Sequence, residues 1–232
     1  MRRKTRFWSV FAVCSVMGLV LAGGSISHTE QVIKKVPTTH KVVALTFDDG
    51  PHPKITPLLL EVLKEKEVKA TFFILGSNAE KFPTVLKSIA DAGEEVANHG
   101  YSHQFSSQLS DGDFIKDVSQ AENVIARSAP KPNLYRPPGG GYSDRRVMAL
   151  KERGYTTVLW TVDTRDWAGK SSKEIVDSVL STVKPGDIVL LHEGDFAAGT
   201  PAAVAIIIDK LRDKGYSFVT VSQLLQYYEV RE

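Results

Sequence analysis

From Lys41 onward the chain alternates short β-rich runs with amphipathic stretches, and this alternation restricts its fold more than any other feature. VVALTF (42–47) precedes TPLLLEVLKEKE, where Thr56 is the expected N-cap and Pro57 the first helical residue. ATFFILG leads to a helical stretch opening at Asn78, and EEVANHG to another running from about Asp111 to Arg127. LYRPPG, TTVLWTVD, DIVLLHEG and YSFVTVS supply four more strands, with helical patterns near 144–153, 172–183, 201–214 and 222–228. Strands that alternate with helices lie parallel in one sheet, because each helix carries the chain back to the starting edge. About seven βα units result, arranged as a (β/α) barrel or as a doubly wound sheet.

Both arrangements gather ligands at the C-terminal ends of the strands. The unusual polar residues collect at those ends. Asp48 and Asp49 follow the first strand, Asn98 and His99 the third, and Arg136 ends the fourth; Asp163 and Asp166 follow the fifth, and His192 ends the sixth.

The N-terminus stands apart from this pattern. MRRKTRFW is basic, Phe7 to Ala22 is apolar, and small residues follow, which reads as an export segment. Residues 1–22 are a signal peptide closing at Ala22 or an N-terminal membrane anchor, the one part of the chain that would contact a membrane. Residues 23–40, polar with scattered lysines, read as a linker to a domain at 41–228. The single cysteine, Cys14, lies in the export segment, so the remaining chain forms no internal disulfide. The formal charge of +2 also depends on that segment: without Arg2, Arg3, Lys4 and Arg6, 25 bases face 27 acids, a net −2. That balance excludes nucleic acid as an expected partner, since no basic excess remains to neutralise phosphates.

His99 and His103 stand four apart in HGYSH, a spacing that lets both imidazoles face one ion from a helical turn or compact loop. One carboxylate from the first strand end completes a two-His, one-carboxylate face with open positions for water and substrate. TFDDGP (46–51) offers two carboxylates, and an acid engaged by a cation is a poor proton acceptor. The pair therefore reads as one ligand and one general base. His192 is placed to act as general acid, its other ring nitrogen held by Asp163 or Asp166. Arg136 in RPPGGG suits bidentate support of a carboxylate, and the glycines after it expose N–H groups to an oxyanion.

With these residues assembled, the chain resembles the polysaccharide deacetylases, the NodB-homology family of carbohydrate esterases. The likeness covers about residues 40–228 and rests on TFDDGP, NHGYSH, RPPGG, VDTRDW and LLH occurring in order. It implies a distorted, incomplete (β/α)7 TIM-like barrel. It also implies Asp48 as general base and Asp49, His99 and His103 as ligands of one divalent metal, usually zinc and sometimes cobalt. By the same resemblance Arg136 holds the base, Asp166 tunes the acid His192, and Trp167 and Leu190 surround the acetyl methyl. The implied substrates are N-acetylated sugars of peptidoglycan or chitin, or O-acetylated xylan.

Three positions depart from the family pattern. Gly139 stands where an aromatic residue often follows Arg-Pro-Pro, so its N–H still meets an oxyanion but an aromatic wall of the groove is expected to be missing. Gln104 replaces a proline, and Glu193 replaces an aspartate after the acid histidine. The expected protein is an exported bacterial de-N-acetylase of cell-envelope glycan. An O-acetyl esterase and a catalytically weak glycan-binding module of the same fold are the competing readings. An iron oxygenase with the same ligand face is disfavoured because no His-x-Asp pair is present.

Overall fold

The computed structural model describes residues 32–229. The expected export segment therefore lies outside the described residues, as does the start of the expected linker. The rest of that linker is not a tether. Val32–Ile33 forms strand β1, paired in parallel with Thr157 and Val158, and Ile33 and Val36 are buried. Two apolar residues among lysines are too short a run to show period-2 alternation, so sequence pattern missed the strand.

The remaining strands are β2 (Val42–Gly50), β3 (Thr71–Ile74), β4 (Glu95–Asn98), β5 (Leu134–Tyr135), β6 (Thr156–Val158), β7 (Val162–Asp163), β8 (Ile188–His192) and β9 (Ser217–Phe218). The helices are α1 (Ile55–Glu65), α2 (Gly76–Lys81), α3 (Pro83–Asp91), α4 (Asp111–Ile125), α5 (Asp144–Lys151), α6 (Ser172–Thr182), α7 (Thr200–Asp213) and α8 (Val221–Leu224). All strand pairs are parallel, in the order β1-β6-β5-β4-β3-β2-β8-β7, with β9 set against the start of β2. This is the incomplete (β/α) barrel that the sequence implied. One strand is two, however. TTVLWTVD bends at Leu159–Thr161: β6 pairs with β5, whereas β7 pairs with β8 at the far end of the path. Leu159 N–H donates to Ile33 and Thr161 N–H to Ile188, so this segment spans the opening between the two edges.

Alternation along each strand decides which residues reach the barrel interior. On β2, Val43, Leu45 and Phe47 pack outward with Leu59, Leu63, Ile207 and Leu211 of the surrounding helices. Val42 and Ala44 face inward with Phe73, Ala97, Leu134 and Ile188. Continuing that inward face by twos leads to Thr46 and Asp48 on β2, Arg136 after β5, and Leu190 and His192 on β8. A one-residue slip in any of these strands would turn its inward side chain toward the helices.

Thr56 is not the cap of α1. It lies inside the helix, and the ring nitrogen of His52 accepts from the Ile55 N–H at 3.2 Å instead. The Thr56 hydroxyl accepts from the His52 N–H at 2.8 Å and donates to the buried carboxylate of Glu193. A cap motif was legible in the sequence, but a partner 137 residues away took the hydroxyl.

Candidate active site

The site forms at the strand ends around Asp48 and Asp49. A register shift in β2 between Asp48 and Gly50 puts Asp49 in the left-handed region, φ 73°. Two successive carboxylates would otherwise point to opposite faces of the strand; this bulge brings both to the same mouth.

His99 follows β4 and is buried, while His103 sits further out on the compact loop that joins them. Gly100 makes that loop possible: it has φ 80°, and a Cβ there would lie 2.6 Å from Asp117 Oδ2. Asp117, on α4, accepts from the N–H groups of Tyr101 and Ser102 at 2.8 and 3.0 Å and so clamps the loop. Nothing in the local sequence singled out this helical aspartate.

The imidazole Nε2 atoms of His99 and His103 lie 3.5 and 3.2 Å from Asp49 Oδ1, yet this buried oxygen receives no hydrogen bond. Burial opposes its charge, but His103 and His99 hold the Asp49 carboxyl well below the usual carboxylate range. Nδ1 of His99 meets the Arg136 carbonyl at 2.8 Å; a carbonyl only accepts, so Nδ1 carries a proton, and in the neutral ring this leaves Nε2 as the lone-pair atom that an ion would meet. One atom from each of Asp49, His99 and His103 lies within 4.8 Å of the others, the one such group among the described residues. Ligands about 2.0–2.1 Å from a tetrahedral zinc stand about 3.3 Å apart, so the separations of the two imidazoles from Asp49 Oδ1 fit such an ion.

Asp48 stands beside this group with a different partner. Arg136, 0% exposed, donates from Nη1 to Asp48 Oδ1 at 2.6 Å and to the Thr46 hydroxyl at 2.9 Å, and from Nη2 to the Leu159 carbonyl at 3.1 Å. Its guanidinium lies 3.9 Å from the Phe73 ring centre. Asp48 Oδ2 remains directed toward the histidines, 3.7 Å from His99 Nε2.

His192 is in register with Asp48 across the β2–β8 pair. Its Nδ1 donates to Asp166 Oδ1 at 2.7 Å, and Asp166 Oδ2 accepts from the His192 N–H and the Thr200 hydroxyl at 2.8 and 2.7 Å. Of the two candidate aspartates, Asp166 is thus the partner, and Asp163 accepts from the Arg165 N–H in its own turn. Burial works against a charged His192, but Asp166, Asp48 and Asp49 outweigh it and raise its pKa. Trp167 is half exposed beside this pair, and Leu190 is buried one inward position below His192. Asn98 is structural: its amide donates to Val118 and Tyr155 and accepts from the Gly100 N–H.

Glu193 is buried against the Gly50 backbone, with Oε1 lacking a partner and burial pushing its pKa up to about 8. The folded chain thus holds this proton more tightly than the unfolded chain, whose glutamate titrates near 4.5. The resulting stability is complete below pH 4.5 and is lost as pH rises toward 8, at about 1.4 kcal/mol per pH unit. In metal-free protein, Glu193→Gln should flatten the fall in Tm between pH 5 and 8; an unchanged slope in a thermal melt series would remove the assignment.

At Gly139 the expected gap is filled. A Cβ there would lie 2.6 Å from Cε1 of Phe105, which reaches over from the loop after His103.

The comparisons with known proteins point one way. A sequence model described as "Polysaccharide deacetylase" matches residues 35–158. A peptidoglycan-N-acetylglucosamine deacetylase of Bacillus cereus is 41% identical over 87% of this chain and 96% of its own. The solved structure of a peptidoglycan N-acetylglucosamine deacetylase in complex with 4-naphthalen-1-yl-N-oxidanyl-benzamide superposes with a TM-score of 0.83 at 37% identity, covering 87% of this chain and 95% of that one. A CE4 family pseudoenzyme from Bacillus anthracis superposes at 0.80 and 30% identity, over 86% of this chain and 70% of its own. By fold, motif order and sequence identity, this chain belongs to the polysaccharide deacetylase family.

Proposed function

We propose that the protein is an exported bacterial de-N-acetylase that removes acetyl groups from N-acetylated cell-envelope glycan, with Asp49, His99 and His103 holding one divalent cation, zinc or cobalt. The observation that carries this reading is the pairing of an ion-sized ligand group with an unspent carboxylate oxygen on one side and a carboxylate-held imidazole on the other. When bound, the cation supplies Lewis acidity to the acetamide carbonyl and to the attacking water. Asp48, fixed by Arg136, takes the proton of that water. The Gly139 N–H faces the developing oxyanion, and Trp167 and Leu190 exclude water around the acetyl methyl. His192, kept protonated through Asp166, gives its proton to the departing amine, and acetate is released.

The peptidoglycan relatives favour a wall glycan, and a relative named chitooligosaccharide deacetylase, 37% identical, keeps N-acetylglucosamine oligomers as useful probes. The test is acetate release from peptidoglycan, N-acetylglucosamine oligomers and acetylxylan, each with added zinc or cobalt and again with chelator. Release from the N-acetylated glycans that chelation abolishes is the expected result. Release from acetylxylan alone would make the protein an O-acetyl esterase, and none from any substrate would leave a binding module.

A further inference from the structure

The three side chains grouped around Asp49 Oδ1 do not have equal support. Asp49 lies in β2, within the barrel wall. His99 directly follows β4; its N–H donates to the Ile74 carbonyl at 2.9 Å, and its ring meets the Arg136 carbonyl. His103 lies off the sheet, four residues further on, with a side chain that is 41% exposed. Its backbone has φ 59°, a left-handed conformation that residues other than glycine seldom adopt. The direction of its ring toward Asp49 is therefore set by the loop behind it.

That loop is gripped on two sides. On one side stand the first two N–H groups of α2, which have no acceptor within their own helix. Gly76 donates to the Gly100 carbonyl at 2.9 Å and Ser77 to the Tyr101 carbonyl at 3.1 Å. On the other side, Asn98 Oδ1 accepts from the Gly100 N–H at 2.8 Å. Asp117 of α4 takes the next two N–H groups, Tyr101 through Oδ2 at 2.8 Å and Ser102 through Oδ1 at 3.0 Å. Its Oδ1 also accepts from the Ser102 hydroxyl at 2.7 Å. Both carboxylate oxygens are thus spent on the residues just before His103. Asp117 is itself fixed, because α4 is anchored through the buried Phe114, Val118 and Ala121 on either side of it.

We infer that Asp117 is a positioning residue for the cation: by fixing this loop it holds His103 on the ion, and without it only Asp49 and His99 stay in place. The inference rests on the ligand reading proposed above. Removing a side chain that orients a metal ligand typically costs about 10–100-fold in affinity. Asp117→Asn is the test, because its NH₂ must face one of the two loop N–H groups whichever way the amide turns. Zinc affinity, measured by competition with a chromophoric chelator, should fall by about 10–100-fold. Ser110→Ala is the control: it removes the cap of α4 on the Asp113 N–H and should lower the metal-free Tm while zinc affinity stays at wild type. An Asp117→Asn protein that binds zinc as tightly as wild type would overturn the assignment. So would an equal loss of zinc in Ser110→Ala, which would trace the effect to helix stability alone. If Asp117→Asn does not fold, Ser102→Ala decides the matter, since it deletes one of the three bonds to Asp117; a smaller loss of affinity is expected, and no loss would overturn the role. A wild type that takes up no zinc would refute the ligand reading and the positioning role with it, whereas tight zinc binding that is indifferent to Asp117 would refute the positioning role alone.

Discussion

Replacing Asp48 with Asn should lower kcat for acetate release by about 10²–10⁴-fold, the range for removing a general base, while the cation stays bound. The geometry separates the two effects. Asp48 is tied through Oδ1 to Arg136, and an asparagine carbonyl can accept that same hydrogen bond. What is lost is Oδ2, the oxygen turned toward the histidines, whose replacement by an amide NH₂ cannot take a proton. The three side chains proposed to hold the cation are untouched, so zinc content after dialysis should match wild type. Asp49→Asn provides the contrast, because it alters the ligand itself and should lose metal together with activity. An Asp48→Asn enzyme with near-normal turnover, or one that has lost its zinc, would reverse the division of labour between the two acids.

That division shows how far sequence could go. The gathering of these polar residues at the strand ends was legible, because a parallel sheet brings those ends together wherever the helices lie. The inward set Asp48, Arg136 and His192 also follows from period-2 alternation once the register is known. The bulge at Asp49 was not legible: it needs a non-glycine residue at φ 73°, and only the assembled site provides a reason for it. The bend in TTVLWTVD was hidden for a related reason. Eight residues of strand composition report β structure but not which edge they pair with, and here the two ends serve opposite edges of the barrel. Asp117, Thr200 and Phe105 were missed because their roles come from tertiary neighbours, not from any pattern in their own segments.

Arg136→Met should destabilise the metal-free protein by about 3–5 kcal/mol at neutral pH, the cost of leaving a buried charge without its partner. Methionine matches the length of the stem and can pack on Phe73, so the loss is electrostatic more than volumetric. Asp48 would remain buried as an uncompensated carboxylate, and the Leu159 carbonyl would lose its donor. Thr46 would keep its bond to the Val189 carbonyl at 2.7 Å. If the charge is the cause, the double variant Asp48→Asn/Arg136→Met should recover most of the loss, and urea denaturation of the four proteins closes the cycle. Additive losses would mean that Arg136 supports the fold independently of Asp48. The cycle also separates the residue's two contacts with the site. Its side chain holds the base, but its main-chain carbonyl holds His99, and no side-chain substitution removes that carbonyl. Arg136→Met should therefore lose turnover and stability while zinc affinity stays near wild type, whereas a parallel loss of zinc would show that the guanidinium also fixes the backbone on which His99 depends.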